Sequence, residues 1–307
     1  MTTYASTQPA VGVAPTGILG GVRRHPLLAY FGLAFLWTWA LLVPFALDSN
    51  PAGLGLFPGV LPDGAFFIAF VLATFGPLLA GLLVTGALEG RAGIRRLLGR
   101  IVQWRVGLRW YLAALLSFFI VFLAAYSLVY QGAPLVALAQ QWPLLFTAFL
   151  PGVLVQLIVP ALGEEPGWRG FALPRLQAQW GPVGGSLVLG LLHGFWHLPV
   201  MFTLLLGPFS LSGLAAFVLT AAGGTFIYTW IYNHTRGSVL IAMLIHAASN
   251  SASAVLSALM PQGVPEPPVL QALGEGWVNV LAFGVAAVVL VAATRGRLGY
   301  RDSGEAR

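Results

Sequence analysis

The sequence predicts an all-α, polytopic transmembrane helical bundle, and three observations carry that prediction. Hydrophobic residues fill 58% of the 307 positions. Charged residues account for only 8%, against about 25% in an ordinary soluble domain. The apolar residues also fall in runs of about 20, the length that crosses a hydrocarbon core. So few charges cannot cover a water-facing surface, so lipid must be the solvent for most of this chain.

Taken in order, residues 1–22 are small, polar and Pro/Gly-bearing, and read as a disordered tail. Arg23, Arg24 and His25 then precede an apolar run that imitates a secretory signal. That run, 27–47, is too long for a signal core and no convincing cleavage pattern follows it, so it reads as a retained first span. Spans are expected at 26–47, 65–88, 110–130, 142–162, 182–206, 211–233, 238–260 and 277–294, about eight in all. Together they form a transmembrane domain over 23–298, and 299–307 is a polar C-terminal tail. Between the second and third spans, Ile94, Leu97, Leu98 and Ile101 recur at helical spacing among arginines. This stretch, 89–109, is expected to lie along the interface with its basic face on anionic headgroups. The Pro-rich run 261–268 reads as an extracytoplasmic loop.

The loops check the span count independently. Alternate connections hold Arg23 and Arg24, then Arg91 through Arg109, then Arg169 and Arg175, then Arg236, then the arginines from Arg295 onward. The intervening connections hold Asp48, Asp63, Glu266 and Glu275 and no arginine. The positive-inside rule then places both termini and every arginine-bearing loop in the cytoplasm, most simply at the plasma membrane. The net charge of +6 is explained by this topology, and no nucleic-acid partner is expected. Membrane lipid is the expected surround.

Several chemistries are excluded. Cysteine is absent, so there is no disulfide, no thiolate nucleophile and no cysteine-based zinc site. Asp48, Asp63 and Asp302 all lie outside spans, which removes an intramembrane aspartyl pair. Neither His-Glu-x-x-His nor Gly-x-Ser-Gly occurs.

An ionisable group at mid-bilayer costs roughly 2.5–3.5 kcal/mol on insertion scales, so each one needs a reason. Three polar groups stand in or beside separate spans. The first is Glu164-Glu165 followed by Arg169, where adjacent carboxylates suit general acid/base work and Glu165 can pair with Arg169 one turn on. The second is His193 and His197, one helical turn apart beside Pro199. The third is His246 and Asn250, again one turn apart, with Ser253 continuing the face. Each alone can be read as a loop ion pair, a satisfied buried histidine or a helix-gluing seam. Converging, they supply a carboxylate base, imidazoles and an amide donor, the parts that activate water and stabilise an oxyanion.

In this order, the three groups resemble the motifs of the CAAX protease and bacteriocin-processing (Abi) family of intramembrane endopeptidases. The matching residues are Glu164-Glu165-x-x-x-Arg169, the stretch ending in His197, and His246-x-x-x-Asn250, within a core at about 142–259. The resemblance implies hydrolysis of membrane-associated or prenylated (CAAX-type) peptides and proteins. Glu164 would activate water with help from His197. His246 and Asn250 would stabilise the oxyanion, and Glu165 and Arg169 would orient the first group. The family has been described as metal-dependent and as metal-free. A zinc ion therefore stays open, with Glu164, His197 and His246 as its ligands if one is present. One departure concerns the second motif, which expects an aromatic residue where this chain has His193. Phe195 and Trp196 can supply the aromatic wall, and His193 adds an imidazole. The readings from other classes are a non-catalytic immunity or scaffold protein and a proton-coupled transporter.

Overall fold

Proline and glycine positions decide where these apolar helices break, and the breaks decide which polar residues meet. The computed structural model describes residues 17–48, 64–203, 209–260, 267–273 and 276–301. The expected tail over 1–16, most of the Pro-rich loop, the end of the fifth expected span, Asp63, Glu266, Glu275 and residues 302–307 lie outside them.

The described chain is an all-α bundle. It opens with α1 (Gly17–Arg24), α2 (Pro26–Leu47), α3 (Ala65–Thr74), α4 (Gly76–Ile101), α5 (Leu108–Val129) and α6 (Ala133–Gln140). A fourth arm alternates π turns with short helices, α7 (Leu150–Gln156) and α8 (Leu162–Glu165), and ends in a π turn over Pro166–Ala172. Then come α9 (Leu173–Trp196), α10 (Leu211–His234), α11 (Val239–Leu259), α12 (Pro268–Leu273) and α13 (Trp277–Ala293). Residues 17–22 differ from expectation: they form helix α1 rather than tail, with Val22 packed against the core that contains Leu27 and Tyr30.

Among the described residues, six helical runs are long and apolar enough to cross a membrane, and Trp277–Ala293 is a shorter apolar one. One of the six, Leu145–Phe202, runs for 58 residues and holds both the fourth and fifth expected spans. Glu164 and His193 touch at 3.0 Å across a separation of 29 residues. A straight helix would rise about 43 Å over that length, so the chain folds back within the run. Gly181, at φ 67°, breaks its helix. Gly90 (φ 60°) similarly separates the apolar part of α4 from its arginine-bearing part.

The second expected span is also broken, between α3 and α4. Pro77 brings no N–H to the Ala73 carbonyl one turn back. The buried Thr38 hydroxyl of α2 donates to that carbonyl instead, at 2.7 Å. Trp37 Nε1 donates to the neighbouring Leu72 carbonyl at 2.9 Å. The break is thus satisfied within the bundle, as lipid requires.

Close backbone contacts seat the polar segments. Gly163 and Gly167 are one turn apart and face the backbone of Thr74 and Pro77; a Cβ on Gly163 would lie 2.6 Å from the Thr74 carbonyl oxygen. Gly190 and Gly194 do the same for α9 on α10, where Cβ atoms would fall 2.5 Å from Ala222 Cα and 2.8 Å from Val218 Cα. Small residues at this spacing let membrane helices approach closely. His193 is carried on the α9 helix that this contact fixes, and Glu164 lies within the first glycine pair.

The core centres on the Pro166–Ala172 turn, all of it buried. Trp168 and Phe171 pack with Tyr30, Ala80, Leu189, Trp196 and Tyr232. A second cluster joins α5, α10, α11 and α13 around Phe118, Phe283 and Ile245. The arginine-bearing connections meet at one end of the bundle. Arg100 reaches the Gly170 carbonyl, Gln103 the Thr235 carbonyl at 3.1 Å, and Arg236 the Arg105 carbonyl at 2.8 Å. Arg175 pairs with Glu89 at 2.8 Å, and Asn233 donates to the Leu298 carbonyl at 3.0 Å.

Gly190→Val should overpack the α9–α10 contact and cost roughly 1–3 kcal/mol. Gly32→Ala, at a site with nothing within 4 Å of the added carbon, should be neutral. Thermal unfolding of both variants in one detergent checks the contrast.

Candidate active site

Two adjacent glutamates on α8 share a backbone segment but enter different environments. Glu165 is fully buried and its Oε1 accepts from Arg169 at 2.9 Å and from His246 Nδ1 at 2.8 Å. Arg169, 1% exposed, lies one turn on, so the Pro166–Ala172 turn directs it back onto Glu165. Its guanidinium also sits 3.9 Å from the Tyr228 ring centroid and 3.4 Å from the Thr225 hydroxyl. The pair is neutral as a unit, and its partners come from α10 and α11.

Glu164, 2% exposed, has no guanidinium. His193 Nε2 lies 3.0 Å from its Oε2, so one proton is held between them. Trp168 Nε1 donates to the same oxygen at 3.4 Å. His197 turns its Nδ1 to the His193 carbonyl at 2.9 Å. A carbonyl only accepts, so Nδ1 carries the proton and Nε2 is left with a lone pair. The same logic gives His246 its proton on Nδ1, against the Glu165 carboxylate. The imidazole rings of His193 and His197 lie 5.1 Å apart, and those of His193 and His246 6.4 Å apart.

Side-chain donor atoms of Glu164, His193 and His197 all lie within 4.8 Å of one another. One carboxylate and two imidazoles are a donor set that catalytic zinc sites use, with a position left open. The His193 carbonyl that orients His197 is the kind of outer partner that fixes a ligand's tautomer. A cation would displace the proton between Glu164 and His193. The residues therefore fit a divalent metal. Among the described residues the donor atoms that gather this closely are those of Glu164, His193 and His197, whereas the expected set has His246 in place of His193.

Of the expected residues, Glu164, Glu165, Arg169, His193, His197 and His246 come together. Asn250 takes a different contact and donates to Gln156 of α7 at 3.3 Å. Residues that sequence reasoning passed over are Gln156, Trp168, Thr225 and Tyr228. Gln156 alone carried a visible signal, as a lone amide in an apolar run. The others are residue types common in any membrane helix.

Comparison with known proteins converges on this segment. Residues 146–252, which include every residue named in this site, match the family described as Type II CAAX prenyl endopeptidase, Rce1-like. A protein of Methanococcus maripaludis named CAAX prenyl protease 2 is 28% identical over 129 residues, covering 40% of this chain and 47% of the relative. The chain thus matches about half the length of that relative.

Removing one partner of a buried ion pair leaves an uncompensated charge, at roughly 3–5 kcal/mol. Arg169→Ala should therefore destabilise the protein by about that amount, whereas Glu164→Gln, which keeps shape and loses no guanidinium partner, should stay within about 1 kcal/mol of the parent. Temperature-ramped size-exclusion chromatography in detergent separates the two outcomes.

Proposed function

We propose that this chain, whose residues 146–252 match the Rce1-like CAAX prenyl endopeptidase family, is an intramembrane endopeptidase cutting membrane-associated or prenylated CAAX-type peptides. The observation that carries the reading is the pairing of Glu164 with His193 at 3.0 Å, beside a neighbouring carboxylate already neutralised by Arg169. A carboxylate held without a cation is poised to accept a proton.

Glu164 takes the proton of a water whose oxygen attacks the scissile carbonyl carbon. His246, held by Glu165 through Nδ1, acts as the imidazolium and donates from Nε2 to the oxyanion, and Asn250 is the candidate second donor. Glu164 then returns the proton to the amine as the C–N bond breaks. His193 and the Trp168 indole hold the carboxylate in place, and the His197 ring lies 5.1 Å from that of His193. Glu164, His193 and His197 would hold a zinc ion. When bound, such an ion supplies Lewis-acid polarisation of a carbonyl. The arginine-rich end of the bundle is the cytoplasmic one on this reading, with both termini on that side at the plasma membrane.

Glu164→Ala and His246→Ala, reconstituted in nanodiscs with a farnesylated CAAX peptide, should each lower the cleavage rate at least 100-fold, with the unfolding temperature retained in Glu164→Ala. Cleavage that survives in Glu164→Ala sinks the mechanism, and no cleavage in the parent across a peptide panel favours a non-catalytic role. Zinc loading provides a separate readout. After dialysis against zinc, His193→Phe should retain at least tenfold less metal per chain than the parent, measured by elemental analysis.

A further inference from the structure

At the arginine-rich end of the bundle, away from the glutamates, lies a cavity of about 580 Å³, within the range of about 300–1,000 Å³ that small ligands occupy. It is formed where α5 begins, α10 ends and the chain after α13 folds back. Arg109, Arg236, Arg297 and Arg301 line it, together with Asn233 and His234. No acidic residue lines it among the described residues.

The cavity is built rather than incidental. Asn233 donates to the Leu298 carbonyl at 3.0 Å, and Leu298 itself is fully buried. The Leu298 N–H donates to the Thr294 hydroxyl at 3.2 Å. These bonds pin the segment that carries Arg297 and Arg301 against α10. Arg236 is fixed by the Arg105 carbonyl, and the His234 ring stacks on Trp110 at 5.0 Å between centroids. Four arginines line one space, their like charges repel one another, and an anion with several acceptor oxygens relieves that repulsion.

An apolar surface leads away from this cavity. Leu108, Leu112, Leu116 and Ile120 lie one helical turn apart on α5, and each is exposed, from 42% to 73%. The stripe begins beside Arg109. On α13, Val285, Val288 and Val289 are likewise exposed. A free phosphate or an acidic peptide would use the charges alone, whereas the lipid-facing stripe starts beside Arg109 and runs on from the cavity. A molecule with an anionic head and acyl chains uses both.

We propose that this cavity binds the phosphate headgroup of an anionic phospholipid, whose acyl chains lie along the exposed stripe of α5. The bound lipid joins the start of α5, the end of α10 and the C-terminal segment through one ligand. This site is separate from the glutamate centre and does not depend on the activity assigned to it.

The test uses the full chain in bicelles of phosphatidylcholine with a minor fraction of phosphatidylglycerol, with lipid retention read by native mass spectrometry. The parent should retain phosphatidylglycerol in preference to phosphatidylcholine. Arg297→Ala combined with Arg301→Ala should weaken that retention roughly 10–30-fold, at about 1 kcal/mol per guanidinium. The corresponding double lysine variant should restore it to within about threefold, which separates lost charge from lost folding. Equal retention of the two lipids by the parent, or unchanged retention in the double alanine variant, overturns the proposal. So does stabilisation by inorganic phosphate, or by an acidic peptide, that matches stabilisation by the lipid.

Discussion

The structure depends most on one buried carboxylate. Glu165 accepts from Arg169 of its own segment and from His246 of α11, and Arg169 continues to Thr225 and Tyr228 of α10. Three parts of the bundle therefore meet on a single charge balance. In a low-dielectric interior neither the carboxylate nor the guanidinium is tolerated alone. The helices must come close enough to keep both paired. The glycines of α8 and α9 allow this, because side chains at those positions would hold the backbones apart.

That constraint gives the neighbouring residue its freedom. Glu164 sits on the same turn, equally buried, yet the available guanidinium is already committed to Glu165. Its partners are an imidazole and an indole N–H, which orient the carboxylate without neutralising it. Two identical residues thus acquire different chemistry from their surroundings: one holds the helices together and the other is left able to exchange a proton. His193 sharpens the contrast, since an aromatic hydrocarbon at that position would leave Glu164 with the indole alone.

The charges at the bundle's end obey another balance. There the arginines are at least partly exposed and pair with backbone carbonyls or with Glu89 rather than with fully buried carboxylates. The same residue type is therefore structural beneath Tyr228 and a surface feature around the cavity at α5 and α10.

Much of this was legible in the chain. Apolar runs of spanning length defined the helices, and the polar residues inside them marked the site, because lipid excludes such groups unless something retains them. The Glu165–Arg169 pair was readable too, being one turn apart. Other features were not. The ordering of residues 17–22 as a helix follows from contacts that Val22 makes with residues distant in sequence. The partners of Glu164 and Glu165 stand 29 and 81 residues away. No local spacing encodes which histidine faces which carboxylate.

Sequence alone therefore determined that this is an all-α membrane bundle, and that glutamate, histidine and arginine are its costly residues. Tertiary structure decided the assignments: His246 to Glu165, His193 to Glu164, Asn250 to Gln156. The reason is physical. Hydropathy is a property of each residue and survives in the linear order of the chain. A hydrogen bond between helices depends on how a break at Pro77 or Gly181 and a close approach at Gly190 turn two faces toward each other, and that geometry exists only once the chain has folded.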